Sequence, residues 1–116
     1  MKINGYSFGK ITVDGKTYTS DVVIYPERVD SSWWRKEGHY LQPVDLEEIF
    51  KAKPDILIIG AGHDGVMRVP DETLNFIKAK RINVYADKTG RAVEEYNRLQ
   101  AEKTKKIVVA ALHLTC

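Results

Sequence analysis

Lys53-Pro54-Asp55-Ile56-Leu57-Ile58-Ile59-Gly60-Ala61-Gly62 is the stretch that decides the fold. Pro54 and Asp55 interrupt whatever precedes them, and four aliphatic residues follow with no polar residue among them. A strand with one wet face alternates apolar and polar side chains. An unbroken apolar run bounded by turn residues suits a strand covered on both faces, as parallel strands are.

Working outward toward the C-terminal side, Pro70-Asp71-Glu72 opens a helix, with proline near the first position and acids in the first turn. Leu74, Phe76 and Ile77 supply its inward side. The segment from Ile82 to Ala86 reads as the next strand. Thr89 is placed to cap a third helix, whose apolar stripe is Ala92, Val93, Tyr96 and Leu99. A second unbroken apolar run, Ile107 to Leu112, is another buried strand. Toward the N-terminal side, Asp45 to Ala52 reads as a short helix with Asp45 as N-cap and Glu48 three residues on. Before it, Glu27 to Pro43 is an irregular loop rich in aromatic residues. A strand ending at Val13 and a second from Lys16 to Tyr25 flank Asp14-Gly15, a pair suited to a type I′ hairpin turn, where both central residues need positive φ. The order is hairpin, loop, then helix and strand in alternation. Parallel crossovers in one layered α/β domain spanning residues 1–116 follow from it.

The composition agrees. The chain has 116 residues, 43% of them hydrophobic and 29% charged, with a net charge of +2. A domain of this size hides roughly 65% of its unfolded surface and needs no disulfide to do so. Its one cysteine, Cys116, excludes an internal disulfide and an all-cysteine zinc site. Met1 to Gly5 contains no apolar run of leader length, and no stretch approaches a membrane span. The expectation is a cytoplasmic protein without cofactor or membrane partner. Basic residues gather at Lys78, Lys80 and Arg81 and at Lys103, Lys105 and Lys106. Both groups fall at helix ends, where cations complement the dipole. Neither is interleaved with aromatics for stacking on bases, so nucleic acid is not expected as a partner.

Several segments together carry a family resemblance. They are Ala92-Val93-Glu94-Glu95-Tyr96-Asn97-Arg98-Leu99, Ala110-Ala111-Leu112-His113-Leu114-Thr115-Cys116, Leu57-Ile58-Ile59-Gly60-Ala61-Gly62, and Trp34-Arg35 with Gly38-His39. The chain resembles a small α/β domain family that stands alone in archaea and bacteria. That family includes the human adipogenesis-associated protein and a mitochondrial complex I assembly factor. The resemblance implies a three-layer fold with a central mixed, mostly parallel sheet and an extra N-terminal hairpin layer. It implies no catalytic residues. It does imply action through protein partners in the eukaryotic members.

Two groups of residues are candidate sites. Gly60-Ala61-Gly62-His63-Asp64-Gly65 follows a strand and matches G-x-G-x-x-G, and Asp87 ends the next strand, where a ribose-binding acid would sit. A dinucleotide fingerprint opens directly into its helix, whereas here Val66 to Val69 intervene before Pro70. A small anion is then the fitting ligand, with Gly60, Gly62, His63, Asp64 and Asp87 as its residues. The second group is Trp33, Trp34, Arg35, His39 and Tyr40, the residue types that dominate protein-binding hot spots. One tryptophan is expected to anchor the loop and the other to face a partner. Two further pairings are weaker. His63 lies next to Asp64 and near Arg68, and adjacent side chains seldom face each other. His113 with Cys116 offers too few ligands for a metal. No nucleophile, base and orienting group assemble from the sequence. The leading reading is a non-catalytic interaction or assembly domain, open to self-association as a homo-oligomer. The alternative is a small-molecule or anion-binding domain, an enzyme included, that uses the glycine turn.

Overall fold

The chain forms two sheets in the computed structural model, which describes residues 1–116. The first sheet joins β1 (Ile3–Ser7), β2 (Lys10–Val13) and β3 (Lys16–Tyr18) in that order, all antiparallel. Asp14 and Gly15 take φ of 48° and 82° between β2 and β3. Both are positive, as the type I′ turn demands. The expected hairpin is therefore present, but it has a third strand. Phe8-Gly9 turns the chain between β1 and β2, so Phe8 belongs to a turn and not to the strand that ends at Val13.

The second sheet contains β4 (Val22–Ile24), β5 (Val29–Asp30), β6 (Ile56–Ala61), β7 (Asn83–Asp87) and β8 (Val108–His113) in the order β5-β4-β8-β6-β7. β6 runs parallel to β7 and β8, while β4 is antiparallel to β5 and β8. The sheet is mixed, but its pairings divide evenly and are not mostly parallel. The expected strand from Lys16 to Tyr25 divides in two, one part in each sheet. Its first part, with one wet face, stays in the small sheet. Val22, Val23 and Ile24 are all buried and fit only inside the large one.

Burial follows the two-residue period of a strand. Ile58 of β6 and Val108, Ala110 and Leu112 of β8 enter one core with Ile3, Ile11 and Val13 of the small sheet and Ala92, Tyr96 and Leu99 of α3 (Thr89–Ala101). Leu57, Ile59, Val109 and Ala111 enter the other, with Ile49 of α1 (Glu47–Lys51) and Ile77 of α2 (Asp71–Ala79). The large sheet is thus covered on both faces, which is why Ile56–Ile59 of β6 and Val108–Leu112 of β8 carry no polar residue. Burial pushes the Tyr96 hydroxyl up to about 12, with Asp14 adding to the shift. The Asn97 side chain docks β1 onto α3: its amide donates to the Ile3 carbonyl at 2.8 Å and its oxygen accepts the Ile3 N–H at 3.0 Å.

Three expectations about the helices change. Asp45 does not cap α1 but sits inside a 3₁₀ turn, Pro43–Leu46, that precedes it. Its two carboxylate oxygens accept the N–H groups of Lys36 and Gln42. Phe76 faces outward from α2, and Thr73 takes the inward position, donating its hydroxyl to the Leu41 carbonyl at 2.9 Å. The cap position of α3 belongs to Lys88, and Thr89 is buried one residue inside the helix. No helix is long and apolar enough to cross a membrane.

Candidate functional site

The aromatic loop divides at Arg35. On one side of it, Trp33 is half-buried and donates its indole N–H to the Asp45 carbonyl at 3.2 Å. Trp34 is 75% exposed. On the other side, the His39 carbonyl accepts the N–H of Arg68, and Tyr40 bridges the same residue, which ties the loop to the chain beyond β6. Arg35 itself is buried, with its guanidinium 4.5 Å from the Trp33 ring.

What holds Arg35 inside is Asp21, just ahead of β4. Its Oδ2 accepts from Arg35 Nη2 and from His113 Nδ1, each at 2.8 Å. Its Oδ1 accepts the Leu114 N–H at 2.8 Å. Arg35 Nη2 also lies 3.1 Å from His113 Nδ1. With an ionised carboxylate facing it, Nδ1 carries the proton, so that short distance is two donors converging on one oxygen and not a further hydrogen bond. The Arg35 Nε donates to the Gly38 carbonyl at 3.1 Å, and the His39 ring stands edge-on to His113 with centroids 5.4 Å apart. Arg35 Nη1 and His113 Nε2 are buried without a protein partner. Asp21, His113 and Arg35 resemble a catalytic trio in composition, but no cavity opens onto them: none of the three lines any cleft of the molecule. They act as a clasp that fixes the loop to the end of β8.

Burial would raise the Asp21 pKa. The bonds from His113, the Leu114 N–H and Arg35 outweigh it and hold the carboxyl at about 2, against an ordinary 3.8. A folded-state pKa below the unfolded one stabilises the fold at every pH above the unfolded value. That contribution is lost as pH falls through the folded value. Reduced for solvent screening of a partly exposed carboxyl, it is worth on the order of 1–2 kcal/mol. Urea unfolding of the wild type and of Asp21→Asn is expected to show a gap near neutrality that closes as pH falls from about 4 to about 2. A gap independent of pH would mean that the Asp21 charge is not what holds the loop.

The Trp34 side of the loop borders a cleft of about 500 Å³. Val23, Tyr25 and Ile49 contribute to its apolar lining, and Val44, Glu47 and Glu48 line it together with Trp34. A second cleft shares Val44 and Glu47 with it and continues to Phe50 and the outward-facing Phe76.

The glycine turn lies apart from this cleft. Gly60 pairs with Asp87 in register on the neighbouring strand. Ala61, Gly65, Asp87 and Lys88 help to line a separate cleft of about 380 Å³ there. Gly62 takes φ of +102° and donates its N–H to Thr89 Oγ1 at 2.9 Å. The N–H groups of His63 and Val66 donate to the Thr115 and Cys116 carbonyls. The amides of Gly62, His63, Gly65 and Val66 are thus bonded within the chain and do not face outward as a free anion cradle. His63 and Asp64 are exposed, and the His63 ring turns toward Tyr6 of β1 and Phe8 of the turn that follows it. His113 faces inward while Cys116 is exposed, and no three metal-ligating side chains converge.

Sequence reasoning named Arg35 and His113 separately but missed Asp21, which joins them. A lone aspartate beside an apolar run carries no motif. It also missed Val44, Glu47 and Glu48 as part of the cleft, because nothing local marks residues that only tertiary packing brings into one hollow with a tryptophan.

Comparison with solved structures finds the same fold. A conserved hypothetical protein of Pyrococcus horikoshii is 28% identical with a TM-score of 0.80, the match covering 100% of both chains. A protein called MT938 is 27% identical over 99% of this chain and 98% of its own, with a TM-score of 0.79. A Bordetella parapertussis protein is 26% identical over 97% of this chain and 94% of its own, also with a TM-score of 0.79. Residues 3–113 match the model of a protein family of unknown function, DUF498/DUF598, and the chain belongs to that family.

Proposed function

We propose that this domain works by docking another protein, and that the docking surface is the cleft between Trp34 and the Val44–Ile49 segment. The observation that carries this reading is Trp34, 75% exposed at the rim of that cleft. A large aromatic ring left in water beside an apolar hollow is the arrangement from which binding hot spots are made. The clasp beneath it supports the same reading. With Arg35 and Trp33 fixed, the loop pays little ordering entropy on binding. The resemblance to the human adipogenesis-associated protein and the complex I assembly factor, eukaryotic members that it implies act through protein partners, points the same way. A reducing, cytoplasmic setting fits the single cysteine, and a second copy of the chain is one partner to consider.

A second reading places a small anion at Gly60, Gly62, His63, Asp64 and Asp87. The cleft beside Asp87 and Lys88 favours it; the internal bonding of the turn amides weighs against it.

The test is native mass spectrometry on protein gently purified from its own host, beside Trp34→Ala. The expected result is a protein co-purifying at fixed stoichiometry with the wild type and lost from a variant of unchanged melting temperature. Removal of a central tryptophan should weaken binding by about 2 kcal/mol or more. A complex that survives in Trp34→Ala would overturn the docking reading, and a retained small anion in place of a protein would favour the second one.

A further inference from the structure

We infer that the segment occupying this cleft is basic: a stretch of the partner protein that lays an arginine side chain against Trp34. The inference rests on the docking reading and adds the chemistry of the partner. Three aromatic rings line the cleft: Tyr25, Trp33 and Trp34. Two already carry a guanidinium of this chain, Arg28 at 3.9 Å from the Tyr25 centroid and Arg35 at 4.5 Å from that of Trp33. Trp34 is the exposed ring of the three and carries no cation. Indole is the ring type that attracts cations most strongly, and guanidinium stacks on it face to face.

The charges around the ring agree. Asp30, Asp45, Glu47 and Glu48 line the cleft against one ammonium, that of Lys36. The chain as a whole is net positive at +2, so this negative lining is local and not a reflection of overall composition. Asp45 is used internally, since both its oxygens hold backbone N–H groups. Asp30 gives one oxygen to Ser32 and keeps the other, and Glu48 shares its charge with the exposed Lys51. Glu47 is exposed, lines the same cleft as Trp34 and has no ion pair of its own. A guanidinium on Trp34 would therefore enter a cleft whose lining still carries unspent carboxylates. A partner segment bearing carboxylates would meet repulsion, which gives the site its selectivity.

The probe is a blocked pentapeptide, Ala-Ala-Arg-Ala-Ala, titrated into the isotope-labelled full chain, with the shift of the Trp34 indole N–H as the readout. Analogues with citrulline, lysine or glutamate at the centre have the same length. The arginine peptide is expected to move the Trp34 signal at millimolar concentration, ahead of lysine, with citrulline weaker by roughly tenfold and glutamate silent. Glu47→Gln is expected to weaken the arginine peptide by roughly threefold, and added salt should reduce the binding. Citrulline binding as well as arginine, glutamate binding at all, or no response to arginine would each overturn the inference. The docking reading fails separately, when the host complex proves indifferent to Trp34→Ala. A Trp34-dependent host complex together with equal binding of citrulline would leave docking standing and remove only the basic partner.

Discussion

Replacing Asp21 with alanine is expected to cost the domain about 3–5 kcal/mol, the range for removing one partner of a buried ion pair. The loss is large because three donors depend on one carboxylate. The Arg35 side chain is 5% exposed and would keep its charge in the interior with only the Gly38 carbonyl to receive it. The Leu114 N–H and His113 Nδ1 would lose their acceptor as well. For a domain whose whole stability is on the order of 5–15 kcal/mol, the melting temperature should fall by about 15 °C. Asp21→Asn keeps an acceptor for Leu114 and removes only the charge, so its loss should be smaller. Thermal unfolding of both variants is the measurement. A fall of less than about 1 kcal/mol in Asp21→Ala would mean that the clasp contributes as little as an exposed surface pair.

The second large effect is expected from one methyl group at Gly62. A Cβ there would lie 2.3 Å from the Cys116 carbonyl carbon and 2.8 Å from the Thr115 oxygen, both backbone atoms. The φ of +102° strains any side chain even in open space. Gly62→Ala is therefore expected to destabilise by on the order of 3 kcal/mol, the strain and the overlap acting together. Gly90, in the first turn of α3, has nothing within 4 Å of its Cβ direction. The same change at Gly90 should stabilise by about 0.4–1 kcal/mol through the unfolded chain. Opposite signs for one chemical change would show that Gly62 is present to admit the Thr115–Cys116 segment. Matching signs would remove that account.

The local parts of this fold could be read from the sequence because their signals are local. Ile56 to Ile59 and Ile107 to Leu112 contain no polar residue, and a strand of that kind has to be covered on both faces. The stripe at Ala92, Tyr96 and Leu99 names the inner side of α3 by helical period alone. Asp14-Gly15 names its turn by the φ values it permits. Reading failed where local choices compete on nearly equal terms. Val22 to Ile24 follows the hairpin directly in the chain, and nothing between Tyr18 and Val22 marks the passage from one sheet to the other except Ser20 and Asp21. Only the antiparallel pairing with β8 decides between them.

The candidate site divides along the same line. The sequence by itself determined that Trp33, Trp34, Arg35, His39 and Tyr40 share a loop, and that Gly60 to Gly65 form a turn at a strand end. It fixed no side chain's direction, because a loop without a repeating period does not say which residue faces in. Tertiary structure decided that Trp33 anchors and Trp34 projects, since Asp45 supplies an acceptor for one indole and nothing covers the other. It also brought Asp21, Arg35 and His113 together from separate parts of the chain. Periodicity is a property of neighbours along the chain and survives translation into sequence. A clasp of three polar groups is a property of neighbours in space, and its members carry no mark until the sheet that joins them has formed.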